Sequence, residues 1–374
     1  MIGKKTMAMA VALCALCAGA TEYTWTGNGA AGNWNDAANW SPSTGAPNAG
    51  DTAKLMLSAD LTITSDIALS AGTLVINHTG AQLIFQGVVS GPGGIELTGD
   101  NFLCLYGDNT FAGGIYRNSF MSAVRLYHDH GLGTGLFRAC EGGASNSGNS
   151  GRTPLEMRGA STMVVTNDMS FGHESFVSWN GNIYFWQEAT LTGSLNFNGQ
   201  SRLGPYTETH VYRFKGPMNG WVGSTASLFV QNVSKSTIYY EGPIAGFNLH
   251  CDSSHAPKVH ICTAANDLAS IQVSGSSSPT YYFDVDNALV EGTVAYFNSP
   301  NGTFDLCGHA LRMGGFYDNK VIAAGTRTIK SDSPATLTMV SKANRLFGGK
   351  FNGALSIVYS PDTKIGRASC RERV

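Results

Sequence analysis

The chain has 374 residues, with 24 Lys+Arg against 26 Asp+Glu and a formal net charge of −2. That balance, without a basic run or a basic amphipathic stretch, excludes a nucleic-acid binder that works through phosphates and gives no pull toward a membrane surface. Charged residues are only 13% of the chain against about 25% in an ordinary soluble domain, yet 43% are hydrophobic, so a core can form and a disordered tract is excluded.

Residues 1–20 read as a signal peptide. Lys4 and Lys5 supply a positive start, Met7 to Cys17 an uncharged apolar run, and Ala18-Gly19-Ala20 a small-x-small cleavage site. The run falls short of the ~20 apolar residues of a membrane span. Cys14 and Cys17 raise a lipoprotein alternative, but each follows a leucine where that processing wants a small residue. Export and cleavage are therefore expected. Residues 21–57 form a Trp-rich module in which Trp25, Trp34 and Trp40 sit among Gly and Asn. Exposed rings there would stack on sugars; buried rings would cap the open end of a repeat structure, hiding its core and unpaired backbone. The cap is the expected arrangement.

Residues 58–364 carry a repeat. An aromatic, a glycine, a hydrophobic residue and a second glycine recur at every other position. The copies are Phe85-x-Gly87-x-Val89-x-Gly91, Phe214-x-Gly216-x-Met218-x-Gly220, Tyr240-x-Gly242-x-Ile244-x-Gly246 and Phe347-x-Gly349-x-Phe351-x-Gly353. Leu191-x-Gly193-x-Leu195-x-Phe197 is a decayed fifth. Period two puts all four positions on one face of an extended strand, large residues inward, with glycine where a neighbouring backbone comes close. Phe214 and Tyr240 lie 26 residues apart, a fitting length for one coil of a solenoid. Strand-like segments such as Leu61–Thr64, Thr73–Ile76 and Ala335–Met339 lie between, punctuated by Asn and Gly at 107–109 and 298–302. No capped 3.6-period stripe argues for a long helix. The Gly/Ser/Asn run at 141–152 reads as a flexible insertion.

Residues of catalytic or ligating type are sparse. Asp284-x-Asp286-Asn287 and His128-Asp129-His130 are the groups on which a carbohydrate-cleaving β-helix would rely, but the aspartates read as solvent-facing and the histidine pair has no third ligand nearby in sequence. His250, Cys251, His255, His260 and Cys262 are the densest set, without the short paired spacing of a zinc site. His173-Glu174-Ser175 lacks a glycine elbow and reads as a loop. Cys104, Cys140, Cys251, Cys262 and Cys307 are odd in number and irregular in spacing, so buried thiols are expected, with a Cys251–Cys262 bridge as the alternative. No residue is assigned to catalysis, a cofactor or a metal.

One stretch resembles a known family. Leu83-Ile84-Phe85-Gln86-Gly87, Gly91-Pro92-Gly93-Gly94-Ile95 and Leu105-Tyr106-Gly107-Asp108-Asn109-Thr110-Phe111-Ala112-Gly113-Gly114 are similar to the autotransporter-associated β-strand repeat, and His130-Gly131-Leu132-Gly133-Thr134-Gly135 looks like its closing turn. Trp25, Gly27, Trp34, Asn39-Trp40, Pro47, Gly50-Asp51 and Ala53 resemble the opening module of such proteins. The specific matches are the Asn109–Gly114 core and the Trp-rich opening; residues 150–265 fit poorly.

The resemblance implies a right-handed parallel β-helix carried as a secreted or surface passenger of a bacterium, without a cofactor; it does not say what the passenger touches, and surface glycans or cell-envelope components are the partners expected. The fold expected is thus all-β, a solenoid with an N-terminal Trp-rich cap. A scaffold or adhesive role is the leading reading, and a polysaccharide lyase or glycoside hydrolase the alternative. Residues 365–374, with three arginines in a charge-poor chain, read codon for codon like a sequencing adapter and are expected to lie outside the fold.

Overall fold

A computed structural model describes residues 20–119, 121–139, 153–172, 181–197, 199–205, 209–220, 226–230, 235–252, 256–274, 278–318, 326–340 and 347–360. Residues 1–19 of the expected signal peptide, the insertion at 141–152, His173-Glu174-Ser175 and the tail at 365–374 lie outside the described residues, as do Cys140 and His255.

Short strands dominate because apolar residues alternate over three to five positions and then meet a glycine, asparagine or proline. Leu195–Phe197 buries its two ends and shows its middle, while Val211–Phe214 and Thr280–Phe283 bury every second residue. Such strands are too short to fold alone and gain stability only from the coil above and below. The one helical element among the described residues is the 3-10 turn Ala37–Asn39.

The strands stack as a parallel β-solenoid. Gly181–Phe185 leads to Ala189–Leu191, then to Leu195–Phe197, and Gln200–Pro205 returns beside Gly181–Phe185 one coil later. Three long sheets of 11, 12 and 10 strands result, each built from strands far apart in sequence. A fourth, two-stranded pairing joins Ile67–Ala68 to Val89–Ser90 in the early coils, before the third long sheet begins at Met163–Val165. Among the described strands only Glu22–Trp25 with Trp40–Ser41 pairs antiparallel.

The repeat pattern is realised in register where three copies follow one another. Leu191 stands beside Phe214, and Phe214 beside Tyr240; Leu195, Met218 and Ile244 line up in the same order on the next face. The 26-residue spacing is therefore one coil. The inner rings stack from coil to coil, Phe214 on Tyr240 at 5.5 Å and Phe171 on Phe197 at 5.7 Å.

The other two copies depart from expectation. Phe85 belongs to the 12-stranded sheet and Val89 to the two-stranded pair, so that copy turns a different corner although both side chains are buried. In the last copy Phe347 is partly buried, but Phe351 is 41% exposed and does not face a closed core. It lies on Lys350–Tyr359, which pairs on one side with Arg327–Met339 and on the other has no strand among the described residues. An inward parity needs a coil on both sides to bury it, and the pattern alone cannot supply one.

Trp34 and Trp40 are 1% exposed, with their rings at 4.7 Å edge to face, and Trp34 also meets Phe85. Their indole N–H groups donate to the carbonyls of Pro47 and Trp34 respectively. A three-ring sugar platform is thereby ruled out, since two of its faces lie inside. No helix among the described residues is long and apolar enough to cross a membrane.

Candidate functional site

The corners of the solenoid are where polar side chains gather, because there the backbone leaves the sheet ladder and its N–H and C=O groups need other partners. Asn109 is the clearest case. Its side chain is buried, accepts from the Val89 N–H at 2.7 Å in the preceding coil and donates to the Gly131 carbonyl at 2.8 Å in the following one. Asn266 repeats the device between the Ile244 N–H and the Ala288 carbonyl, at 2.8 and 2.7 Å. The Asn109 side chain clamps three coils in register.

Next to this clamp lies the one group of three potential metal ligands found among the described residues: Asp108, His128 and His130, with ligand atoms within 4.8 Å of one another. His130 Nδ1 is 2.6 Å and His128 Nδ1 3.9 Å from Asp108 Oδ1. The Gly131 N–H donates to the His128 carbonyl and the Gly133 N–H to the His130 carbonyl, which folds the histidine turn tightly. Asp129, between the histidines in sequence, is turned elsewhere and accepts from the Val164 N–H in the following coil. The third ligand-type residue is thus Asp108, 22 residues before His130 and so one coil back. Sequence spacing gave no hint of it; the signal lay in the Gly107-Asp108-Asn109 turn recurring at the same corner as the histidine turn.

The dense His/Cys set read from the sequence does not form one site. Cys251 is in the core, whereas His250, next to it, stacks outside on Phe229 at 4.4 Å. His260 lies on another face, sandwiched between Tyr239 and Tyr282 at 4.5 and 4.4 Å. Cys104, Cys251, Cys262 and Cys307 are free thiols, so the Cys251–Cys262 bridge is not formed. Geometry explains this, because Cys251 points into the core and Cys262 follows Lys258–Ile261 on the next sheet. Burial as a group also fails: Cys104 and Cys251 are buried, but Cys262 is half-buried and Cys307 exposed.

Asp284 and Asp286 are taken up by the neighbouring coils. Asp284 receives the His260 ring at 2.8 Å and the Cys262 thiol at 3.4 Å. Partial burial opposes its ionisation, but hydrogen bonds from His260, Cys262 and Cys307 outweigh that and hold the carboxyl below the usual range. Asp286 accepts from the Ala310 N–H at 2.8 Å and pairs with His309, and these bonds likewise lower its pKa. Burial and the adjoining carboxylates have the opposite effect on the thiols, raising both Cys262 and Cys307 to about 12.

A chemical consequence follows for the exposed thiol. The thiolate is the nucleophile, and a raised pKa removes it at neutral pH. Cys307 is therefore expected to alkylate at least about tenfold more slowly than free cysteine at pH 8, whose own pKa is about 8.5. Site-resolved mass spectrometry after timed iodoacetamide treatment measures this, and a rate matching free cysteine would contradict the environment described.

Comparison of the chain with protein-family models, with curated proteins and with solved structures gives no match. The functional reading rests on the geometry above.

Proposed function

We propose that this protein is an exported β-solenoid scaffold, displayed on or released from a bacterial cell, with a structural or adhesive role and without catalysis of its own. One observation carries the reading: the outer polar side chains are used to fasten one coil to the next. Asp284 and Asp286 are the carboxylates that the carbohydrate-cleaving alternative would need. Glycosidic cleavage requires one carboxyl kept protonated near neutral pH as the general acid. Both aspartates here are instead held ionised by hydrogen bonds from His260, Cys262, Ala310 and His309. Neither suits that task.

The same economy appears along the chain. The carboxylates of Asp60, Asp66 and Asp168 accept the backbone N–H of Gln82, Val88 and Ser194, each one coil ahead. The product of this repetition is a long lateral surface, with the Trp-rich module of residues 21–57 closing the first coils. Surface glycans and cell-envelope components are the partners such a surface suits. The purified protein is expected to show no turnover on a panel of acidic and neutral polysaccharides, with or without calcium. Reproducible cleavage that disappears in a folded Asp284→Asn, Asp286→Asn double variant would falsify the scaffold reading and favour the enzyme.

A further inference from the structure

We propose that Asp108, His128 and His130 form a binding site for one divalent transition-metal ion of the zinc class. Two imidazole nitrogens and a carboxylate oxygen suit zinc and its neighbours, whereas calcium and magnesium prefer oxygen donors alone.

Metal–ligand bonds of ~2.0–2.1 Å at a tetrahedral angle place ligand atoms roughly 3.3–3.4 Å apart. The separations of His130 Nδ1 and His128 Nδ1 from Asp108 Oδ1, 2.6 and 3.9 Å, fall on either side of that value. Adjustments of less than about one ångström suffice, well within the torsional freedom of side chains that are 40–64% exposed. The His130 N–H donates to His128 Nδ1 at 3.2 Å, a long hydrogen bond that an incoming ion would replace.

Two further features favour a built site over a chance encounter. The backbone beneath the ligands is fixed, because Asn109, the residue after Asp108, is bonded through its side chain to Val89 and to the carbonyl of Gly131, the residue after His130. The hydrogen bond between Asp108 Oδ1 and His130 Nδ1 already holds two of the donors side by side across neighbouring coils, and an ion would take the place of its proton. Three protein ligands on the outer surface leave the fourth position to water or to a ligand from outside. An ion held there ties the coil carrying Gly107–Asn109 to the coil carrying His128–Gly131, and it makes the lateral surface metal-dependent at this corner.

The test is a titration of the full, untagged protein with zinc chloride against a chromophoric chelator, together with calcium chloride as a probe of oxygen-only binding. The expected result is one zinc ion per chain, no competition from calcium, and a rise in the temperature of unfolding with zinc. His128→Ala and His130→Ala are each expected to weaken zinc binding by about tenfold or more, and Asp108→Asn, which keeps the size of the side chain, to do the same. Circular dichroism verifies that each variant keeps its strand content. A wild-type protein that takes up no zinc overturns the proposal. So does uptake that persists unchanged in the His128→Ala, His130→Ala double variant, which would place the zinc at other residues.

Discussion

Gly216→Ala is expected to destabilise the protein by more than about 3 kcal/mol, beyond the usual cost of overpacking by one methyl. A β-carbon on Gly216 would lie 2.0 Å from the carbonyl oxygen of Gly193, and one on Gly242 would lie 2.2 Å from that of Gly216. These are backbone atoms, held by the ladders on either side, so they cannot swing away as a flexible side chain would. The backbone at Gly216 is not left-handed, which makes the effect one of space and not of conformational strain. Three successive coils place glycine at this corner because each coil must pass the next at close range. Gly292, which has open space around its α-carbon, supplies the control: Gly292→Ala should change stability by less than about 0.5 kcal/mol. Urea denaturation measures both. Because each coil touches only its neighbours, hydrogen exchange should show the loss of protection centred on residues 189–245. Equal denaturation midpoints for Gly216→Ala and Gly292→Ala would show that the coils are not packed as described.

Asn109→Ala is expected to cost about 2–5 kcal/mol. The substitution leaves the Val89 N–H and the Gly131 carbonyl without their partner, and an unsatisfied buried polar group costs about 1–3 kcal/mol. Asn109→Asp does not rescue it, since the acid keeps the acceptor for Val89, loses the donor for Gly131 and adds a buried charge. Asn266→Ala should behave like Asn109→Ala, because Asn266 serves Ile244 and Ala288 in the same way. Asn35 makes a hydrogen bond to the Asp66 carbonyl at the surface, where water can substitute, and Asn35→Ala should cost less than about 1 kcal/mol. Thermal denaturation of the three variants orders them. An Asn109→Ala protein as stable as Asn35→Ala would mean that the buried clamp contributes nothing.

The two effects arise at different levels of description, and that difference also separates what could be read in the chain from what could not. Period-two alternation fixes side-chain parity within a strand, since successive side chains point to opposite faces whatever surrounds them. All-β character, short strands and the burial of Phe214, Met218, Tyr240 and Ile244 were therefore legible before any coordinates. The 26-residue coil was legible for the same reason, because two neighbouring copies of one motif must pair like with like.

Which residues meet across coils was decided only by the tertiary structure. A coil can be 22 residues long, as from Ile63 to Phe85, or longer, as from Leu126 to Met157. No local rule sets that length, so no local rule predicts the partner one coil away. This is why the sequence showed a histidine pair without a third ligand while the fold brings Asp108 to it. It is why Cys251 and Cys262, close in the chain, are separated by the turn from one sheet to the next. Exposure of Phe351 has the same origin: its parity came from the sequence, but burial needed a neighbouring coil, and only tertiary stacking determines whether one is there.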